Sequence, residues 1–198
     1  MSKHSGNQGG RHSGFNEYKI CGDYTILYIH MENQKDHEIL IDTEDLERVK
    51  ELNVKWCAAW NKRSNVYYYR CSKYVGKSEN LKSGYKNYYL HRWIMNAKKN
   101  EYVDHKDHNT KDNRKSNLRV TTNSKNNMNR NGANKNNNTG VRNVSYMEKD
   151  NVYWVQFMKE GERYKWVFPV DKFEEACKFA EKKRKELFGE FAGNSIRK

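Results

Sequence analysis

Between Val103 and Asn126 the chain reads VDHKDHNTKDNRKSNLRVTTNSKN, and three of its residues have the chemistry of a metal-dependent hydrolytic site. Asp104 offers a carboxylate and Asn126 an amide carbonyl, hard oxygen donors that suit Mg²⁺ or Mn²⁺ better than zinc. His105 carries an imidazole whose ordinary pKa, near ~6.5, lets it accept a proton at neutral pH. Phosphodiester hydrolysis calls for these functions: a water that loses its proton, and positive charge where charge builds on the phosphate oxygens. One carboxylate and one neutral ligand leave several positions on the ion for water and phosphate. In a regular strand Asp104 and His105 point to opposite faces, so they converge only at a bulge or a strand end.

The elements that must hold these residues follow a ββα order. Residues 102–106 and 118–121 read as short strands around a polar loop, with a helix over 124–130 behind them. Ahead of them, residues 88–90 extend and 91–95 open a helix. The net charge of +13 is concentrated here, with +8 over residues 84–136 against +2 over 1–83 and +3 over 137–198. Such a field attracts phosphates, so nucleic acid is the first partner to consider. Lys106, Arg114, Lys115, Arg119 and Arg130 are candidates to hold a DNA backbone, contacts that would be blind to sequence.

Composition restricts the rest. Hydrophobic residues at 35% are few for one large core, but 13% aromatics argues against disorder, so small modules with polar linkers fit best. Cys21, Cys57, Cys71 and Cys177 are dispersed without a CxxC, which speaks against a zinc knuckle or a disulfide framework and for reduced thiols. The N-terminus lacks the apolar run of a secretory signal, and no stretch approaches a membrane span. The expectation is a reducing, cytoplasmic compartment, that of a bacterial or phage-infected cell.

Residues 1–14 read as a disordered tail. Residues 15–83 make a small β-rich α+β unit: a hairpin turning at Gly22-Asp23, a short helix after Asp42-Thr43, and strands over 54–60 and 66–75. Its tyrosines, Tyr67, Tyr68, Tyr69, Tyr74, Tyr85 and Tyr88, serve either a β core or contact with DNA, the core being the favoured use. Residues 131–138, within the Asn-rich run 127–138, read as a linker. Beyond it, residues 140–147, 152–159 and 162–168 are three strands, and Asp171 with Glu174 forms a capping box for a helix whose apolar stripe packs on the sheet.

The central segment resembles the HNH endonucleases of the phage and intron-homing kind. Leu90-His91-Arg92, Val103-Asp104-His105, Asp112-Asn113-Arg114, Ser116-Asn117-Leu118 and Asn126 fall in that family's order over residues 84–130. The resemblance implies a ββα-metal fold in which His105 activates water, Asp104 and Asn126 hold one divalent ion, and Asn117 pins the loop between the strands. His91 contacts a phosphate or braces the helix, bracing being favoured, and Arg92 joins it as a candidate DNA contact. Asn126 stands where many relatives carry His.

The last segment, residues 139–195, resembles the Apetala-two/ethylene-response-factor DNA-binding domain through Thr139-Gly140-Val141-Arg142, Tyr153-Trp154-Val155-Gln156-Phe157 and Phe188-Gly189-Glu190-Phe191-Ala192. This implies a three-stranded sheet laid in the major groove, with Arg142, Trp154, Gln156, Tyr164 and Trp166 facing DNA. For Trp154 and Trp166, packing under the sheet edge stands as an equal alternative. The expected whole is α+β: a β-rich N-terminal unit, a ββα-metal nuclease unit, and a C-terminal three-stranded antiparallel sheet packed on one helix. It would cut double-stranded DNA with Mg²⁺ or Mn²⁺. The alternative is a DNA-binding regulator whose nuclease unit no longer cuts.

Overall fold

The computed structural model describes residues 14–32, 34–62 and 64–196, so the expected tail, apart from Gly14, lies outside the described residues. The chain divides into two compact units at Thr121 and Thr122.

In the first unit, strands β1 (Tyr18–Cys21) and β2 (Tyr24–Ile29) form the hairpin expected at Gly22-Asp23. Gly22 takes a φ of 74° there, a conformation glycine reaches without a steric penalty. Strand β3 (His37–Asp42) completes an antiparallel sheet in the order β1-β2-β3. Its alternating pattern turns Leu27, Ile29, Ile39 and Ile41 inward. A 3-10 turn at Thr43–Asp45 leads into α1 (Leu46–Lys50), which adds Leu46 and Val49 to the same core. A second antiparallel sheet follows, β4 (Cys57–Asn61), β5 (Val66–Tyr74) and β6 (Tyr85–Tyr89) in that order. Helix α2 (Leu90–Ile94) comes next, and β7 (Tyr102–His105) then pairs with β8 (Leu118–Thr121).

One core runs through these elements from β2 onward. Trp56, Tyr69, Leu90, Ile94 and Leu118 belong to the same buried cluster as Leu27 and Ile41, so the stretch read as 15–83 shares its interior with the first-unit part of the stretch read as 84–130. Trp56 is tied at both ends: its indole N–H donates to the Val49 carbonyl at 3.2 Å, and its backbone N–H to Asn16 Oδ1 at 2.7 Å.

The second unit opens with α3 (Asn123–Met128), where the Thr122 hydroxyl accepts the Lys125 N–H. Strands β9 (Val144–Met147), β10 (Val152–Lys159) and β11 (Glu162–Pro169) form an antiparallel sheet in the order β11-β10-β9. Helix α4 (Phe173–Phe188) covers one face, burying Ala176 and Ala180 against Val155 and Phe157. Two expectations need correction. The chain enters α4 through a 3-10 turn at Val170–Lys172, which puts Lys172 at the cap and leaves Asp171 and Glu174 without a capping box. The Asn-rich stretch read as a linker is tied to β9: the Asn137 amide donates to the Val144 carbonyl at 2.6 Å. Asn138 donates to the Tyr146 carbonyl at 2.8 Å and accepts its N–H at 3.0 Å. These amides satisfy β9 as a neighbouring strand would, a use of Asn that no apolar period can signal.

Candidate functional site

The β7–β8 register sets Asp104 opposite Arg119 and His105 opposite Leu118. His105 is the last residue of β7, one short of the expected strand, and a strand end is where an adjacent Asp and His can converge. Both are almost wholly enclosed, Asp104 8% and His105 5% exposed. The Arg119 guanidinium grips Asp104 Oδ2 through Nη2 at 2.8 Å and Nε at 3.1 Å, and Arg119 is itself 8% exposed. The expectation that Arg119 holds a DNA backbone is thereby corrected. A buried carboxylate needs a paired cation, and cross-strand register supplies this one.

His91, from α2, lies beside His105 with ring centroids 5.3 Å apart. Tyr68, from β5, approaches both, at 5.5 Å from His91 and 6.4 Å from His105, and Tyr89 stands 5.9 Å from His91. His91 is enclosed among these rings, 8% exposed. Burial, the neighbouring His105 and the Arg92 charge together push its pKa down to about 3. Burial also lowers the His105 pKa, against the opposing pull of its Asn113 hydrogen bond and of Asp104, Asp107 and Asp112. Both imidazoles are therefore neutral at pH 7. Asn113 donates through Nδ2 to the Thr110 carbonyl at 3.0 Å, which turns its Oδ1 toward His105 Nε2, 3.4 Å away.

The His91 geometry sets the acid stability of the unit. An unfolded His takes up a proton near ~6.5, whereas His91 in the fold resists until about 3, so across that interval the unfolded state binds more protons. Stability from the neutral His91 is present above ~6.5 and declines as the pH falls, by at most about 1.4 kcal/mol per pH unit. Urea midpoints measured down this range are expected to fall less steeply in His91→Gln than in the wild type. Parallel slopes would remove His91 as the cause.

The loop between β7 and β8 is pinned by Asn117, whose Nδ2 donates to the Asp112 carbonyl at 3.0 Å and whose Oδ1 accepts the Asp107 N–H at 3.2 Å. The loop also docks on β3, where the Leu40 N–H donates to the Lys111 carbonyl and the Leu40 carbonyl accepts the Asn113 N–H, both at 2.8 Å. Several expected DNA clamps serve this framework instead. Lys115 Nζ reaches Glu44 at 2.8 Å and Asp45 at 2.9 Å, and Arg114 forks onto Asp112 at 2.6 and 2.9 Å. Arg92 donates to the backbone carbonyls of Lys98 and Glu101. A carboxylate two residues away, or on a strand already docked, captures a cation at little cost in chain freedom. Lys106 lies exposed with Nζ on the Ser116 carbonyl at 2.8 Å, and exposed Arg130 bonds Asn134 within the second unit. Asn126 is half-buried on α3, in the second unit.

In the second unit, Trp154 and Gln156 stand on the sheet face away from α4, in line with the expectation. The pairing of β10 with β11 adds two residues to it that sequence reasoning missed, Arg163 opposite Met158 and Lys165 opposite Gln156. Lys165 Nζ lies 3.3 Å from the centre of the Trp154 ring. Tyr164 and Trp166, expected on this face, lie on the other: Trp166 packs on Phe179 of α4 at 5.1 Å, and Tyr164 stacks beside Trp166. The error was one of register, and a one-residue slip exchanges the two faces. The alternation of Arg163 and Lys165 with Tyr164, Trp166 and Phe168 was a signal available to correct it. Arg142, also expected to face DNA, is 5% exposed with its guanidinium on the carbonyls of Met128, Arg130 and Ala192.

Asp104 suits a hard divalent ion: it is buried, oriented by Arg119 and bordered by neutral imidazoles. Among the described residues no group of three or more His, Cys, Asp or Glu is placed to hold a metal. Among the described residues no helix is long and apolar enough to cross a membrane.

Comparison with known families matches residues 88–128 to the HNH endonuclease model, the segment that contains Asp104, His105, Asn117 and Asn126. No curated protein and no solved structure matches the chain.

Proposed function

We propose that the protein is a divalent-metal-dependent endonuclease of double-stranded DNA, with His105 as the general base. The observation that carries this reading is the buried pairing of Asp104 and His105 at the end of β7, inside the segment that matches the HNH endonuclease model. His105, kept neutral by burial and oriented through Asn113, accepts the proton of the attacking water. Asp104, steadied by Arg119, supplies a carboxylate ligand, and on the sequence pattern alone Asn126 supplies the second. When bound, Mg²⁺ or Mn²⁺ places positive charge on the oxyanion and the leaving oxygen. Asn117 maintains the loop on which Asn113 stands, so it acts by position.

The second unit is read as the DNA-gripping module. Its order of three antiparallel strands and one helix supports the Apetala-two/ethylene-response-factor resemblance, and its open face carries Trp154, Gln156, Arg163 and Lys165. An enzyme of the homing or mobile-element type, acting in the cytoplasm, accords with the paired cutting and binding motifs.

Supercoiled plasmid tests the reading. With Mg²⁺ the purified protein is expected to convert it to nicked or linear forms, and chelation with EDTA is expected to stop the conversion completely. If plasmid stays supercoiled in both Mg²⁺ and Mn²⁺ while the protein still retards its migration, the protein is a DNA-binding regulator.

A further inference from the structure

Tyr68 leads from the His91–His105 pair onto a surface that the nuclease motif does not include. Alternation along β5 sends Tyr67, Tyr69 and Cys71 into the core side and Tyr68, Arg70, Ser72 and Tyr74 to the other. The register of β6 sets Tyr89 opposite Arg70, Asn87 opposite Ser72 and Tyr85 opposite Tyr74, which extends this second face. It is open: Tyr74 is 57%, Tyr85 54% and Tyr89 39% exposed, and Arg70, Ser72 and Asn87 are exposed with them. Three exposed tyrosines around a polar centre make a poor site for an aliphatic protein partner.

We propose that this face of the β4-β5-β6 sheet is a docking track for the DNA backbone where it leaves His105. The inference rests on the nuclease reading and extends it to a sheet face that this reading does not use. Charge is the first argument. Strands β4, β5 and β6 contain no Asp or Glu, and from Leu52 to Asn100 the sequence has one acidic residue, Glu79, against eleven Lys and Arg. Continuity is the second, since the face begins at Tyr68 in ring contact distance of His105. Length is the third: the six-residue rise from Tyr68 to Tyr74 covers about 20 Å, or about six nucleotide steps of ~3.4 Å. Arg70 offers its guanidinium to a phosphate, Ser72 and Asn87 offer hydrogen bonds, and the tyrosine rings lie against sugars or splayed bases.

The test is fluorescence anisotropy of a labelled mixed-sequence duplex with the full chain in EDTA, titrated at several salt concentrations. Arg70→Glu with Asn87→Glu is expected to weaken Kd by about tenfold or more and to flatten the log K against log salt slope by about one. Asn87→Lys, at an exposed position, is expected to tighten binding and steepen the slope, an outcome that misfolding cannot imitate. Lys19→Glu on exposed β1 applies the charge reversal of Arg70→Glu elsewhere and is expected to stay within about twofold of wild type. The track is overturned if Arg70→Glu with Asn87→Glu binds no more weakly than Lys19→Glu, or if Asn87→Lys leaves affinity and slope unmoved. Plasmid cleavage by the wild type in Mg²⁺ separates the two readings. Cutting with unaffected binding sinks the track alone, whereas the expected binding shifts without cutting sink the nuclease alone.

Discussion

His105→Ala is expected to lower the single-turnover cleavage rate by about 10²–10⁴-fold, the contribution of a positioned general base. The size follows from the site's poverty in alternatives. His91 is held neutral but enclosed among Tyr68, Tyr89 and His105, and Asp104 is taken up by Arg119. Neither is placed to replace the proposed base, whose Nε2 lies 3.4 Å from Asn113 Oδ1. Because Ala also leaves a cavity between rings, His105→Gln serves as the companion: it fills more of the space and has no basicity. Both variants are expected to cut equally poorly while Gln melts closer to wild type. A His105→Gln protein that retains more than a tenth of the wild-type rate would remove His105 from the role of base.

The setting of Asp104 and His105 was legible because it is local: two adjacent side chains, a turn-forming loop and a strand on each side. Most strands were legible for the same reason, with β10 and the Gly22-Asp23 hairpin as the clearest cases. What the sequence could not show were partners brought together by register and docking. Arg119 reads as one more exposed cation until β7 and β8 pair and turn it onto Asp104. Lys115 reads as a phosphate clamp until β3 and the turn after it present Glu44 and Asp45. Tyr164 and Trp166 were assigned to the wrong face because period-2 alternation tells that two faces exist without telling which one a helix will cover.

Arg142→Ala should destabilise the second unit by about 3–5 kcal/mol, the range for removing one partner from a buried, charged hydrogen-bond cluster. The guanidinium donates to the Met128 carbonyl at 2.7 Å, the Ala192 carbonyl at 2.9 Å and the Arg130 carbonyl at 3.1 Å. Those acceptors come from both ends of the unit, so one side chain ties the segment after α3 to the segment after α4. Burial, with the charges of Arg130 and Arg184, pushes the Arg142 pKa down only to about 10, so it stays charged at neutral pH. Gly193 completes the arrangement. Its φ is 62°, and a Cβ there would sit 2.5 Å from the Arg130 carbonyl oxygen and 2.7 Å from the Arg142 Nη1. Chemical denaturation followed by hydrogen exchange in the second unit measures the loss. A shift below about 1 kcal/mol, coupled to weakened DNA binding, would return Arg142 to the DNA-facing role expected from the sequence.

The backbone bonds that join Leu40 to Lys111 and Asn113 make β3 and the β7–β8 loop a single hydrogen-bonded piece. The segment that matches the HNH endonuclease model is therefore not a self-contained cassette. Grafted into another host as residues 84–130, it would leave behind the strand that fixes the Asn113 backbone, and with it the alignment of the amide on His105. A crossover between the first sheet and β7 would part the β7–β8 loop from the strand it docks on.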